Sequence, residues 1–194
     1  MSEQAKVTTP FDEDLLIVDQ LDQVVGRAAK ADIHLRRLYH RQAYVFIENS
    51  AGQLLLQQRS RNRYFDPGAW TSSASGHVAE GESYLAAALR EVYEELGIHL
   101  SAGNFLGKVL AYSEKEGQLC GGPSAVYCTK SDISVQECVI QQSEVETIAY
   151  FPVDVVQNAV RGDQFIFNGE AMIVSHDFPP VLRCLLENRD DFMV

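Results

Sequence analysis

Apolar positions along the chain fall in short runs separated by polar turns. Leu15-Leu16-Ile17-Val18, a polar link and then Val24-Val25-Gly26 predict a β-hairpin. Residues 28–38 predict a helical or irregular segment. Ala43-Tyr44-Val45-Phe46-Ile47 is rich in β-branched and aromatic residues and predicts a strand. Asn49-Ser50-Ala51-Gly52 is turn chemistry, after which Leu54-Leu55-Leu56 resumes as a second strand. Residues 59–68 read as a basic loop closed by Pro67-Gly68. Further strands are predicted at 106–111, 125–128 and 148–151, the first two joined by a glycine-rich loop at 117–122. Residues 153–160 predict a short helix ending near Gly162. Asp177 followed by Phe178-Pro179-Pro180 predicts a helix start with Asp177 as N-cap, continuing through 182–186. Interleaved strands and helices predict one α+β or α/β domain over 13–194, behind a polar tail of residues 1–12.

The strongest periodicity lies between Ser83, a plausible N-cap, and Gly97, a plausible C-terminal cap. Leu85, Ala88, Leu89, Val92 and Leu96 recur at helical spacing and predict an apolar stripe against the core. Glu91, Glu94 and Glu95 share a different face, placed by rotation well over 100° from the centre of that stripe. Like charges on neighbouring turns repel, and Arg90 relieves part of this through its i+4 partner Glu94. A hard divalent cation would relieve more, because Mg²⁺ prefers carboxylate oxygens, water and phosphate.

Composition narrows the partners. Sixteen Lys and Arg against 27 Asp and Glu give a net charge of −11, a poor surface for a nucleic acid. A small phosphorylated ligand remains compatible where cations or a local Arg cluster offset the repulsion. No apolar run approaches the ~18 residues of a membrane span, and the N-terminus has no apolar signal core, so a cytoplasmic protein is expected. Cys120, Cys128, Cys138 and Cys184 form no C-x-x-C pair, so no zinc site is signalled and reduced thiols are expected.

From Gly76 the chain reads GHVAEGESYLAAALREVYEELGI, with Glu82, Arg90-Glu91, Glu94-Glu95 and Gly97 at fixed spacing. This resembles a complete Nudix box over residues 76–98, the loop–helix–loop signature of the Nudix hydrolases. The resemblance implies an α/β/α sandwich with a mixed β-sheet and hydrolysis of a diphosphate linkage in a small substrate. It implies that Glu91, Glu94 and Glu95 bind Mg²⁺, with Mn²⁺ as its substitute, together with the carbonyl of Gly76. It implies that Arg90 orients those glutamates and that Glu82 supports the box. Glu91 is taken as the general base, with Glu144 as the other candidate before the strand at 148–151.

A narrower resemblance, over residues 34–98, is to the isopentenyl-diphosphate isomerases. It rests on YHRQAYVFIENSAGQLLLQQRS (39–60) and PGAWTSSASGHV (67–78). It implies that Arg59 and Arg63 hold a diphosphate, and that His40 and His77 occupy metal-ligand positions, with His34 near a third. Trp70 reads as a core residue more readily than as a stacking platform. The chain departs from the isomerases in three ways. Ser75 stands where they carry a catalytic cysteine, Val78 replaces a proline, and Cys120-Gly121-Gly122-Pro123-Ser124 lacks their acidic pair. A serine of ordinary acidity is a poor replacement for that cysteine, so hydrolysis is the leading expectation. Isomerisation and a non-catalytic nucleotide-binding module are the alternatives. The terminal elements leave a homodimer open.

Overall fold

The computed structural model describes residues 14–162 and 166–189, so the predicted tail lies outside the described residues. The chain opens with β1 (Asp14–Val18), β2 (Val24–Ala29), helix α1 (Lys30–Leu35) and β3 (Tyr39–His40). Next come β4 (Gln42–Glu48), β5 (Gln53–Arg59), β6 (Trp70–Thr71), β7 (Ala74–His77) and helix α2 (Tyr84–Leu96). They are followed by β8 (Asn104–Lys115), β9 (Gln118–Lys130), β10 (Val145–Pro152) and helix α3 (Val153–Arg161). The last elements are β11 (Ile166–Phe167), β12 (Glu170–Ala171) and helix α4 (Phe178–Asn188).

The central sheet runs β10-β5-β4-β9-β8, with β6 on β5 and β7 on β4. Its β4–β9 pairing is parallel and its other pairings are antiparallel, so the sheet is mixed, as expected. A smaller sheet, β2-β1-β3, contains the predicted N-terminal hairpin. Strand β4 is buried at every position, which is why its sequence reads as continuous apolar residues rather than alternating ones. Ala43, Val45 and Ile47 pack with Ala88, Val92 and Leu96 of α2. Tyr44 and Phe46 face the other way, into a core with Phe178, Val181 and Leu185 of α4 and Val156 of α3. The sheet is therefore covered on both faces, in α/β/α order.

Three expectations need correction. No loop spans 117–122: β8 and β9 pair down to Lys115–Gln118 and turn through Glu116 and Gly117, with φ of 50° and 79°. The glycines at 121 and 122 are needed for close approach instead. A Cβ on Gly121 would sit 2.3 Å from the Ala111 carbonyl oxygen, and one on Gly122 would sit 2.7 Å from that of His40. Asp177 does not cap α4, because it already has helical dihedrals and its side chain makes no cap bond. Its carboxylate instead accepts hydrogen bonds from the Tyr44 hydroxyl and the Ser175 hydroxyl, each at 2.6 Å. The segment predicted as helical or irregular from residue 28 continues as β2 to Ala29 before α1 begins.

Phe46 is fully buried and packs on Phe178 at 6.0 Å between ring centroids, joining β4 to α4. Phe46→Ala is expected to lower the unfolding free energy by about 3–5 kcal/mol, read from a urea titration.

Candidate functional site

Helix α2 begins where the Ser83 hydroxyl accepts the Ala86 amide at 3.1 Å, and it ends at Gly97 in the left-handed region with φ 70°. Both caps match the sequence reading. The buried face differs from it. Ala87, Ala88, Val92, Glu95 and Leu96 are buried, whereas Leu85 is exposed and Leu89 only half-buried. The helix is thus rolled toward its glutamates, and these do not share a solvated face. Glu95 is 4% exposed, while the side chains of Glu91 and Glu94 are 14% and 48% exposed.

Strand β7 explains the roll. The Ser75 amide donates to Glu95 Oε2 at 3.0 Å and Gln57 Nε2 of β5 donates to the same oxygen at 2.8 Å. Next to it, Gly76 has no side chain to fill the space. A Cβ there would lie 2.0 Å from Glu91 Cδ, so glycine lets that carboxylate rest against the strand backbone.

Arg90 collects the remaining groups. Its Nε and Nη2 donate to the two oxygens of Glu82 at 3.0 and 3.1 Å. Nη2 also reaches the His77 carbonyl at 2.8 Å. Nη1 bonds Glu91 Oε1 at 2.8 Å and Glu94 Oε2 at 2.9 Å. Glu82 accepts the Ala79 amide at 3.0 Å as well, which closes the loop ahead of the helix. Burial alone would raise the Glu82 pKa, but the Arg90 bonds outweigh it and hold Glu82 below the usual carboxylate range. Glu91 and Glu95 go the other way. Burial raises both, and the Glu91 charge adds to the effect on Glu95. Glu91 and Glu95 therefore ionise reluctantly, Glu91 even with Arg90 bonded to it.

A cavity of about 460 Å³ opens beside this cluster. Gly76, Arg90, Glu91 and Glu94 line it, and so do Lys30, Arg59 and Arg63. Glu95 lies behind that lining, held to the Ser75 amide. Glu144 also lines the cavity, where it pairs with Arg63 at 2.6 Å, so it is more than a stray surface charge. Arg59 Nε is tied to the Phe65 carbonyl at 3.2 Å. Arg61 pairs with Glu170 and does not line the cavity. Lys30 and Asp177 line it too, although the patterning marked Asp177 only as a helix cap and did not mark Lys30. Trp70 is a core residue, 2% exposed and edge-on to Phe151 at 4.9 Å.

His34, His40 and His77 converge with Cys120, their ligand-type atoms all within 4.8 Å of one another. The sequence pointed toward the three histidines but not toward the thiol, because these residues come from α1, β3, β7 and β9. Burial pushes the imidazole pKa down to about 4 at His34 and about 3 at His40, and well below the usual value at His77. The three rings are therefore neutral, with lone pairs free to accept.

With this geometry in view, comparisons place the chain among known proteins. The family model described as "NUDIX domain" matches residues 38–168. An isopentenyl-diphosphate Delta-isomerase of Serratia proteamaculans is 46% identical over 87 residues, 45% of this chain and 49% of that protein. An uncharacterised Nudix hydrolase of Streptomyces coelicolor is 39% identical over 117 residues, 60% of this chain and 63% of that protein. The chain thus spans about half the length of the curated isomerase it matches. A crystal structure from Deinococcus radiodurans superposes with a TM-score of 0.67 at 24% identity, covering 88% of this chain and 98% of that one.

The raised pKa values of Glu91 and Glu95 carry a sign for stability. A carboxyl group whose folded pKa lies above its unfolded value supports the fold below the ordinary value, 4.5 for glutamate, and that support is lost as pH rises through the folded pKa. In chelator, the wild type is expected to lose stability between pH 5 and mildly alkaline pH. Glu95→Gln is expected to flatten this dependence and to be the more stable protein by about 1–3 kcal/mol at the alkaline end. Denaturant melts across pH measure it, and parallel curves for the two proteins would refute it.

Proposed function

The chain belongs to the Nudix family, and from that premise we propose that it is a cytoplasmic, Mg²⁺-dependent hydrolase of a small diphosphate compound. The observation that carries this reading is the composition of one cavity. Carboxylates gathered by Arg90 and the cations Lys30, Arg59 and Arg63 line the same space. A substrate with phosphate oxygens matches the cations, and a divalent ion matches the carboxylates. The donor set fits Mg²⁺ or Mn²⁺: Glu91, Glu94 and Glu95 are hard oxygen ligands, and the missing side chain at Gly76 leaves its backbone open beside Glu91. These three glutamates and the Gly76 carbonyl are the proposed ligands. When bound, the ion neutralises charge on the phosphoryl oxygens and acidifies water.

The chain's own residues supply the rest. Arg59, Arg63 and Lys30 hold phosphate oxygens, the arginines through their planar forks. Glu91 takes the proton of the attacking water as its oxygen bonds to phosphorus. The bridging P–O bond breaks, and its oxygen leaves with the leaving group. A buried carboxylate with a raised pKa suits a base working near neutral pH. Arg90 keeps Glu91 aimed.

The test is hydrolysis of a panel of diphosphates, including isopentenyl diphosphate and nucleoside diphosphate derivatives, in Mg²⁺ and in chelator, with the monophosphate products and any inorganic phosphate separated and quantified. Wild type is expected to turn over one class. Glu95→Gln is expected to lose about 10²–10⁴-fold in kcat while remaining folded. Hydrolysis that survives both chelator and Glu95→Gln would overturn the metal-dependent reading. Rearrangement of isopentenyl diphosphate without hydrolysis would assign an isomerase, and tight binding without turnover would assign a sensing module.

A further inference from the structure

The cavity beside the box holds a second polar group that the hydrolysis does not use. Gln42 of β4, Ser113 of β8, Cys120 of β9 and Asp177 ahead of α4 line it. Tyr44 joins two of them. Its hydroxyl lies 2.6 Å from Asp177 Oδ2 and 3.2 Å from Gln42 Oε1. A phenol has one hydrogen to give, and the shorter contact takes it. Burial and then the Asp177 charge hold the Tyr44 pKa well above its ordinary value, so that hydrogen stays in place. Gln42 is left with an acceptor that is mostly unspent. Its amide nitrogen has Cys120 Sγ as partner, at 3.9 Å, and sulfur is a weak acceptor. Yet Gln42 is only 7% exposed, and buried amides are ordinarily well paired. Gly121 keeps space beside this amide, because a Cβ there would lie 2.9 Å from Gln42 Oε1. Asp177 also has capacity left. It is 9% exposed, and its oxygens take one hydroxyl each, from Tyr44 and Ser175, where each can accept two.

We propose that Gln42 and Asp177 are the specificity-determining pair of this cavity and read the hydroxyl groups of a sugar carried on the substrate's diphosphate. This rests on the diphosphate reading above for the other half of the ligand. A pair of neighbouring hydroxyls fits both side chains. One donates to an open acceptor site of Asp177, as ribose hydroxyls do to carboxylates in dinucleotide-binding folds. Its neighbour accepts from Gln42 Nε2. Ser113 adds a further acceptor, because its own hydrogen goes to Asp66. Other groups fit less well. The hydrocarbon chain of isopentenyl diphosphate would cover Gln42 and Asp177 without replacing their bonds to water, which is costly. A site built to bond a hydroxyl rejects an analogue lacking it by up to ~10⁴–10⁵-fold. A nucleobase gains most from an aromatic face on which to stack. The rings that reach this cavity are already packed. Phe65 is 8% exposed and meets His34 at 5.4 Å and Tyr64 at 5.0 Å edge-to-face, and His77 packs on His40 at 4.8 Å. Asp177 follows residues 38–168, which the family model matches, so the box does not dictate what it reads.

Methylene-bridged diphosphonates are the probes, because a P–C–P bridge keeps the anionic head and resists hydrolysis. Calorimetric titration in Mg²⁺ compares a ribosyl methylenediphosphonate, linked through its 5-oxygen, with its 2,3-dideoxy and isopentyl counterparts. Wild type is expected to bind the ribosyl compound at least about 10-fold more tightly than either. Asp177→Asn and Gln42→Leu are each expected to weaken the ribosyl compound by about 10–100-fold and not to weaken the isopentyl compound. Retained isopentyl affinity then shows that the variant is folded. The dideoxy comparison needs no variant, so it decides even where a substitution unfolds the chain. Equal affinity for the ribosyl and dideoxy compounds would overturn the proposal and leave the diphosphate site standing. Failure of all three compounds to bind would overturn the diphosphate reading, and the sugar-reading pair with it. An adenosine counterpart bound more than about 100-fold more tightly than the ribosyl compound would give the cavity to a base and overturn the proposal as well.

Discussion

A single guanidinium organises the candidate site. Arg90 is hydrogen-bonded to Glu82, Glu91 and Glu94 and to the carbonyl of His77, and so it joins the loop before α2, the helix itself and the end of β7. Charge-assisted bonds of this kind are about twice as strong as neutral ones. The more telling cost is that of losing the hub. Removing one partner of a partly buried cluster leaves the other charges desolvated and unpaired, typically for 3–5 kcal/mol where burial is deep, and for less here because Arg90 and Glu94 keep some contact with water. A lysine could not replace it, because one ammonium cannot present a planar fork to Glu82 and still reach two further carboxylates.

The mixed sheet brings the opposite charges to the same place. Strand β5 carries Gln57, which holds Glu95, and ends at Arg59. Strand β10 pairs with β5, and the residue ahead of it, Glu144, is anchored by its carbonyl to the Ser60 amide at 2.8 Å and by its side chain to Arg63. One antiparallel pairing thus sets the arginines and a further acid at the mouth of the cavity. The parallel pairing of β4 with β9 and the antiparallel pairing of β4 with β7 bring Cys120, Gln42 and His77 to the same region. An overall charge of −11 does not oppose an anionic ligand in such a site, because the local cations are fixed by backbone geometry and screening removes distant charges within about 10 Å at ordinary salt.

How far the sequence spoke for the structure depended on how local each cause was. Ser83 and Gly97 cap α2 through neighbouring residues, and both were readable from type and position. The roll of the same helix was not. Periodicity treats Leu85 and Leu89 as better core residues than Ala87. The burial of Glu95 is decided by the Ser75 amide and Gln57, which lie 20 and 38 residues away in sequence. The glycines at 121 and 122 carried the opposite hazard. Glycine is a turn signal by composition, and here it answers to neighbouring strands that only folding supplies. Asp177 looked like a cap because it precedes two prolines, yet Tyr44, 133 residues away, takes its carboxylate first.

Chemistry follows from where sulfur and carboxylate sit, and that is where this chain parts from the isomerases it resembles. Moving a proton across an allylic system needs an acid and a base of different pKa facing one another over the substrate. At position 75 the chain offers a hydroxyl, with its amide engaged by Glu95. In the region where the isomerases carry their acidic pair it offers a thiol, pushed up to about 11 by burial and set beside three imidazoles instead of opposite a cysteine. Neither group supplies the missing partner of the other. The box carboxylates, by contrast, are all present: Arg90 gathers Glu82, Glu91 and Glu94, Gly76 leaves room for Glu91, and the Ser75 amide and Gln57 hold Glu95. The proposed hydrolysis rests on that contrast: water attack on phosphorus would use groups that line the cavity, whereas proton relocation on carbon would lack one of its partners.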